Sequence, residues 1–152
     1  MTWTWDSLTT ADKGTLKRVF ETGATPDIEQ LLGGTYDGLN RGAVTRITGQ
    51  RFKKLFYLRD GEPFGHNIQE KRGRPVELGW YRVRPDGRAA RIDYNVEQNG
   101  GIHVVLRALQ DRIVLPNPGD HELVLGEARY LGLRVAYFVL KRERASGPQK
   151  QK

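Results

Sequence analysis

The sequence predicts a mainly β protein, in which about eight antiparallel strands form a closed barrel after short N-terminal helices. Two observations carry this prediction. From Thr35 onward, short segments rich in β-branched and aromatic residues follow one another, and they are separated by turn sequences such as DG and PDG. Before Thr35, the apolar residues have a helical spacing instead.

The chain has 152 residues, a length that fits one domain. We expect residues 1–142 to form a single barrel domain and residues 143–152 to form a disordered basic tail. The C-terminal sequence KRERASGPQKQK is polar, contains Gly and Pro, and carries most of the net charge of +7. A solvated tail explains this excess of charge more simply than a binding arm does.

The chain contains no cysteine, which excludes disulfides and thiolate metal sites. Its N-terminus lacks the basic and apolar pattern of a signal peptide. No apolar run approaches the roughly 20 residues of a membrane span. These features predict a soluble, cytoplasmic protein, and they leave its oligomeric state open.

The helical segment is expected at about residues 7–32. Residues Ser7–Glu21 predict one helix, with Ser7 or Thr9 as its N-cap. The sequence TPDIEQLLGG predicts a second, short helix, with Thr25 as its N-cap, Pro26 at its first position and the glycine pair at its end. A phosphate-binding loop has the opposite order, with its glycines before the helix, so the glycine pair does not indicate one.

Eight segments are predicted to form strands. These segments are Thr35–Leu39, Ala43–Thr48, Arg51–Arg59, Pro63–Gln69, Leu78–Arg84, Arg88–Val96, Glu122–Tyr130 and Leu133–Arg142. Short turns join most neighbours, so consecutive strands are expected to pair as hairpins. Between the sixth and seventh segments, Ile102, Val105, Leu106 and Leu109 suit a short helix, although IHVVL would also form a strand.

The sequence GTYDGLNRG, which enters the first strand after a helix, resembles the G-x-W start of lipocalin-like (calycin) barrels, with Tyr36 at the tryptophan position. The last strand carries Arg134 and Arg142, where such barrels often have an arginine that packs over the first-strand aromatic residue. Over about residues 28–142, the chain is similar to small bacterial proteins of the nitrobindin-like and GXWXG kind. The resemblance implies an eight-stranded barrel that encloses a small ligand.

The same resemblance raises haem as a cofactor, because nitrobindin-type barrels carry a haem-ligating histidine near the end of the barrel. The only late histidine in this sequence is His121, in the loop sequence PNPGDHEL, so the residues do not match. We therefore predict no cofactor. The three histidines of the chain show no close pairing, which also argues against a zinc site.

Alternation along each predicted strand produces one largely apolar face, fit to line a barrel or to pack a core. Most aromatic residues on these faces are expected to belong to the core. Together they also permit an apolar pocket with a few phenol hydroxyls as polar groups. The predicted ligand-binding residues are Phe56, Phe64, Tyr81, Tyr94, Tyr137 and Phe138. The sequence leaves open which face of each strand points inward.

Three residues are candidates for proton transfer in such a pocket, namely His66, Tyr36 and Asp93. His66 lies between Phe64 and Ile68 on an apolar strand face. A half-buried, hydrogen-bonded histidine explains this position as well as a general acid or base does. Asp93 either lies in the barrel with a shifted pKa, or faces outward and pairs with a neighbouring arginine.

These observations support three hypotheses. The first is that an aromatic-lined barrel cavity binds a small hydrophobic molecule. The second is a cofactor-independent enzyme of the isomerase, cyclase or dehydratase type that acts on a small hydrophobic substrate in the same cavity. The third is a basic nucleic-acid-binding β module, suggested by the net charge, the KRGRP loop and the tail. We rank it last because the basic residues form no single stripe interleaved with aromatic residues.

Overall fold

A computed structural model describes residues 2–41 and 50–144. Within these ranges, three α-helices come first, and they are α1 Trp5–Thr9, α2 Lys13–Thr22 and α3 Ile28–Leu31. The strands of the same described ranges are β1 Thr35–Arg41, β2 Arg51–Arg59, β3 Glu62–Lys71, β4 Arg74–Asp86, β5 Ala89–Asp93, β6 Leu109–Val114, β7 Leu123–Tyr130 and β8 Leu133–Arg142. A 3₁₀ helix at Gly101–Ala108 lies between β5 and β6.

The strands form one closed antiparallel barrel, in which each strand pairs with its neighbours in sequence and β8 pairs with β1. This confirms the predicted fold class. The register places Leu55 opposite His66, and Val83 opposite Ile92. Because side chains of a barrel strand alternate between the interior and the exterior, these registers decide which residues meet inside.

β6 was not among the predicted strands. The helix predicted through Leu109 is wrong at its end, because the 3₁₀ helix stops at Ala108 and Leu109 begins β6. Leu109, Asp111 and Ile113 share one face of this strand. The apolar residues just before β6 have a helical spacing, so the alternation of apolar and polar residues in β6 was not recognised in the sequence. The predicted strand Ala43–Thr48 lies outside the described residues.

The N-terminal stretch forms two helices, not the single helix predicted at Ser7–Glu21. Thr4 caps α1 through a capping box with Ser7. Asp12 caps α2, and its carboxylate accepts a 2.7 Å hydrogen bond from the Thr15 backbone N–H. A side chain that satisfies free N–H groups starts a new helix, which is why the stretch divides at Asp12.

The third helix also begins later than predicted. Its N-cap is Asp27, whose carboxylate accepts a hydrogen bond from the Glu29 backbone N–H at 3.1 Å, and not Thr25. Its end agrees with the prediction, because Gly33 follows it with a φ of 80°. This left-handed conformation favours glycine and stops the helix before β1.

The described chain continues past the last strand for two residues. The Glu143 backbone N–H donates a 2.8 Å hydrogen bond to the Thr35 carbonyl, which extends the contact between β8 and β1. From residue 145 onward, the predicted disordered tail lies outside the described residues.

Two apolar cores lie on the two sides of the barrel wall. The inner core lies inside the barrel and contains Leu31, Tyr36, Phe56, Tyr81, Val83, Ala90, Ile92, Tyr94, Ile113, Leu115, Val124, Phe138 and Leu140. The outer core lies between the wall and the helices α1 and α2, and it contains Leu8, Leu16, Val19, Phe20, Ala89, Val114, Leu123, Leu125, Tyr137 and Val139. Several strands therefore bury apolar residues on both faces.

Acid is expected to weaken the barrel through Asp86, whose Oδ2 accepts hydrogen bonds from Arg91 Nε at 3.3 Å and Arg112 Nε at 3.2 Å. The Arg91 bond, with help from both guanidinium charges, holds the pKa of Asp86 below its ordinary value of 3.8. A lowered folded-state pKa means that this stabilisation is present above the unfolded pKa and is lost as pH falls through the folded pKa.

We therefore expect Asp86→Asn to lose less stability than the parent protein when pH is lowered below about 4. Urea unfolding of both proteins at a series of acidic pH values measures this difference. Equal acid sensitivity of the two proteins would contradict the assigned role.

Candidate functional site

A cavity of about 230 Å³ lies inside the barrel, toward the end at which β3 joins β4 and β7 joins β8. Its apolar lining consists of Phe52, Leu78, Leu106, Leu109, Ala128, Val135, Ala136 and Phe138. Its polar lining consists of Asn40, Lys54, Asn67, Gln69, Lys71, Tyr94 and Asp111. The volume exceeds the roughly 150 Å³ of a protein cavity that binds benzene, so a small organic molecule has room.

Four polar side chains meet where the cavity borders the inner core, and we call Lys54, Asn67, Tyr94 and Asp111 the Lys54 cluster. Lys54 Nζ donates hydrogen bonds to Asn67 Oδ1 and to the Tyr94 hydroxyl, both at 2.8 Å, and lies 3.4 Å from Asp111 Oδ2. The Tyr94 hydroxyl donates to Asp111 Oδ2 at 2.8 Å and accepts from Asn67 Nδ2 at 3.1 Å. Each member therefore contacts at least two others.

The cluster is polar and yet buried. Lys54 is 1% exposed and Asp111 is 4% exposed. Lys54 Nζ lies 4.6 Å from the ring centroid of Tyr81 and 5.3 Å from that of Tyr94. The negative faces of these rings stabilise a cation at this buried position.

Strand alternation explains how the two charged members reach the interior. In RFKKLFYLR, the side chains of Phe52, Lys54 and Phe56 share the inner face of β2. In LQDRIV, Asp111 shares the inner face of β6 with Ile113. Because the barrel closes, these two strands stand across the cavity from one another.

A glycine on β4 makes room for Asn67. The β3–β4 register shifts between Gly65 and Asn67, and Gly79 has a φ of 65° at this irregularity. A Cβ atom at Gly79 would lie 2.9 Å from Asn67 Nδ2. The missing side chain therefore lets β4 approach the cluster closely.

Burial changes the titration of the cluster. Desolvation lowers the pKa of Lys54 from its ordinary 10.5, against the attraction of the Asp111 carboxylate. Desolvation also raises the pKa of Asp111 from its ordinary 3.8, against the attraction of Lys54. The proton affinities of the two groups therefore approach each other. Burial raises the pKa of Tyr94 well above 10, so its hydroxyl keeps its proton.

Five of the residues predicted from the sequence belong to the inner core, and they are Tyr36, Phe56, Tyr81, Tyr94 and Phe138. Tyr94 and Phe138 line the cavity. Phe56 packs edge-on against both Tyr36 and Tyr81, at centroid distances of 5.5 Å and 5.8 Å. Two of the five residues, Tyr94 and Phe138, therefore line the cavity. The other three pack against one another in the inner core.

Tyr36 lies away from the cavity, and its hydroxyl donates a 2.7 Å hydrogen bond to the His121 carbonyl. Burial raises the pKa of Tyr36 to about 12. The Arg142 guanidinium lies 5.6 Å from the centre of its ring, which confirms the arginine contact expected between the last and first strands. These contacts give Tyr36 a packing position at the closed end of the barrel.

His66 lies on the outer face of β3, because Asn67 and Gln69 on the opposite face line the cavity. The ring is buried, and its Nδ1 lies 2.6 Å from the Tyr57 hydroxyl. Its Nε2 lies 2.9 Å from a Glu77 carboxylate oxygen, without the alignment of a hydrogen bond. The structure therefore separates His66 from the cavity and places it in an exterior polar cluster.

The other three predicted residues also lie on the outside of the barrel. Phe64 packs against the Tyr57 ring at a centroid distance of 6.2 Å. Tyr137 belongs to the outer core, with its ring 6.3 Å from that of Phe20. Asp93 stands opposite Arg82 in the β4–β5 ladder and accepts a hydrogen bond from the Asn95 backbone N–H. None of these side chains lines the cavity.

Lys54, Asn67 and Asp111 were not singled out from the sequence. The available signal was a charged residue on an apolar strand face. Lys54 alternates with Phe52 and Phe56, and Asp111 alternates with apolar neighbours in the same way. Such a residue must find a partner when it is buried, so two of them in one barrel predict a pair.

Among residues 2–41 and 50–144, no group of three or more His, Asp or Glu side chains is placed to hold a metal ion. None of the helices in the described part of the chain is long and apolar enough to cross a membrane.

No protein-family model matches the sequence, and no curated protein matches it. The fold itself, a closed eight-stranded antiparallel barrel, is compatible with a lipocalin-like architecture.

Proposed function

We propose that the protein binds a small, mainly apolar molecule with an uncharged polar group in the barrel cavity. The observation that carries this proposal is the buried Lys54 cluster beside a mainly apolar cavity. Ligand sites commonly combine apolar walls with a few polar groups that fix the orientation of the ligand. The resemblance to lipocalin-like and nitrobindin-like proteins supports the same function, since eight-stranded barrels can enclose one small ligand.

The charges favour an uncharged ligand. Among the described residues that line the cavity, the charges of Lys54 and Asp111 cancel each other at its inner end, and the exposed Lys71 is the other charged residue. A charged head group would lose its hydration there without gaining a counter-charge. A carbonyl or hydroxyl group meets hydrogen-bond donors and acceptors from Asn67 and Tyr94 instead.

The same geometry favours a second candidate function, a cofactor-independent enzyme of the isomerase, cyclase or dehydratase type. Lys54, Tyr94 and Asp111 lie within hydrogen-bond distance of one another in a cavity. Titratable groups in this arrangement can hold and transfer protons to a bound substrate. In this candidate the proton-transfer roles belong to the cluster, because His66, Tyr36 and Asp93 do not line the cavity.

Titration calorimetry with three probes of similar size tests the proposed binding. We expect benzyl alcohol to bind more tightly than toluene, since its hydroxyl can join the cluster. We expect benzoate to bind more weakly than benzyl alcohol, because its charge must be desolvated. A protein that takes up none of the three probes, or that prefers benzoate, would overturn the proposal.

A substitution that fills the cavity is expected to prevent this binding. Ala128 lines the cavity and stands opposite Asp111 in the β6–β7 ladder, so Ala128→Phe places a ring in the ligand volume. We expect the affinity for benzyl alcohol to fall at least tenfold, or about 1.4 kcal/mol. The control is Leu133→Phe, at a side chain that is 72% exposed on β8. Equal affinities in the two variants would place the binding site elsewhere.

A further inference from the structure

The Lys54 cluster has a property that simple ligand binding does not need, which is a buried primary amine at the cavity. Replacement of a buried ion pair by apolar residues of similar volume is often neutral or stabilising. The ion pair of Lys54 and Asp111 therefore need not make the barrel more stable than a pair of apolar residues would. A chemical use of the amine explains its position better than a structural use does.

We propose that Lys54 captures small, mainly apolar aldehydes or ketones in the barrel cavity by forming an imine with them. This inference rests on the proposed function, since the carbonyl compound must first enter the cavity. It names the chemical class of the ligand, a carbonyl compound, and it assigns Lys54 as the residue that reacts.

The surroundings of Lys54 Nζ fit this reaction. A lysine becomes a nucleophile when it loses its proton, and desolvation in an apolar pocket promotes that loss. Burial lowers the pKa of Lys54 and raises that of Asp111, so both shifts favour transfer of the proton from the ammonium to the carboxylate. The Tyr81 ring, 4.6 Å from Nζ, stabilises positive charge on this nitrogen, both in the ammonium before the reaction and in the protonated imine after it.

The steps balance without an oxidant or a cofactor. The neutral Lys54 amine attacks the carbonyl carbon while the Asp111 carboxyl protonates the carbonyl oxygen, which forms a carbinolamine. The nitrogen then gives a proton to the Asp111 carboxylate, and that proton returns to the hydroxyl as it leaves as water. The products are a protonated imine, one water molecule and the Asp111 carboxylate, which is the counter-ion of the imine.

Two further side chains position these groups. Asn67 Oδ1 lies 2.8 Å from Nζ and directs the amine, and the Tyr94 hydroxyl bridges Nζ and Asp111 Oδ2. Asp111 Oδ2 lies 3.4 Å from Nζ, so a carbonyl group that binds at the amine is also within reach of the Asp111 carboxyl. The arrangement thus supplies a nucleophile, a proton donor and a counter-ion within one set of contacts.

The neighbouring lysine offers an internal comparison. Lys53 points outward from β2, and its Nζ contacts Asp37 Oδ1 at 3.0 Å and the Glu143 carboxylate. Hydrogen bonds to these two carboxylates outweigh partial burial and raise the pKa of Lys53. Two adjacent lysines on one strand therefore have opposite pKa shifts, and imine formation at neutral pH should select the inner one.

Reductive trapping tests the inference. The full-length protein, with Lys53→Arg to simplify assignment, is incubated at pH 7 with benzaldehyde and sodium cyanoborohydride, and peptide mass spectrometry locates each added benzyl group. We expect Lys54 to be labelled at least about tenfold faster than the surface lysines, because each unit by which burial lowers its pKa gives about ten times more neutral amine at pH 7. We also expect benzyl alcohol to slow the labelling of Lys54 alone, because it occupies the same cavity.

The outcomes separate the inference from the proposed function. If benzyl alcohol binds and Ala128→Phe abolishes that binding, yet Lys54 is labelled no faster than surface lysines, the imine is overturned and the binding function stands. If neither binding nor selective labelling occurs, both are overturned. The Lys54→Met/Asp111→Leu variant, which keeps the volume apolar, should lose the fast label.

Discussion

Replacing Asp111 with alanine is expected to lower the free energy of unfolding by about 3–5 kcal/mol. The change leaves Lys54, which is 1% exposed, inside the barrel without its acidic partner. Removal of one partner of a buried pair leaves the other charge without compensation, and this accounts for the large cost. Urea denaturation at pH 7, followed by circular dichroism, measures this loss.

The chain supplies a matched control for this measurement. Lys53 and Asp37 form an ion pair at 3.0 Å on the outside of the same strand, with side chains that are 44% and 37% exposed. Because such pairs are solvated, Asp37→Ala should cost less than about 1 kcal/mol. The Lys54→Met/Asp111→Leu variant should be about as stable as the parent protein or more stable. Equal losses from Asp111→Ala and Asp37→Ala would show that the inner pair is hydrated.

The second large effect is expected at Gly65, where substitution by alanine should cost about 3 kcal/mol, the upper end of the usual range for overpacking. A Cβ atom at this position would overlap the Leu55 carbonyl oxygen and the ring of Tyr81. Tyr81 is fully buried, and its hydroxyl donates a hydrogen bond to that same carbonyl. Neither neighbour can move without disturbing the β2–β3 ladder or the inner core. Thermal and urea unfolding should both detect the loss.

The opposite sign is expected for the same substitution at Gly14. Gly14 lies in the first turn of α2, where an added Cβ would have no heavy atom nearer than 3.7 Å. Alanine has the higher helix propensity, so Gly14→Ala should stabilise the protein by about 0.5–1 kcal/mol. A destabilisation of similar size at both glycines would contradict the assignment of the Gly65 loss to the contacts with the Leu55 carbonyl and the Tyr81 ring.

The grouping of residues on strand faces could be read from the sequence, but the choice of the inner face could not. Phe64 and His66 do share a face, as alternation predicts. That face is the outer one, because Gly65 on the opposite face lies beneath the Tyr81 ring inside the barrel. Hydrophobicity alone does not make this choice, because the outside of the barrel wall also buries apolar residues.

The candidate site was predictable only in part for a related reason. Aromatic residues such as Tyr94 and Phe138 stand out in a sequence, and both line the cavity. Lys54 looks like one more surface cation of a basic protein, beside Lys53, and Asp111 lies in a segment whose first half is helical. The sequence shows that both charged residues are present, but it does not show that Lys54 and Asp111 lie together inside the barrel.

The amino-acid sequence by itself determined most of the strand segments, most of the turns between them and the closed antiparallel barrel, because alternation and turn residues are local properties. The tertiary structure alone decided that Lys54 and Asp111, 57 residues apart, meet beside a cavity. That meeting depends on the register of every intervening strand, since a shift of one residue moves a side chain from the interior to the exterior. Barrel closure then buries the pair, and burial moves both pKa values.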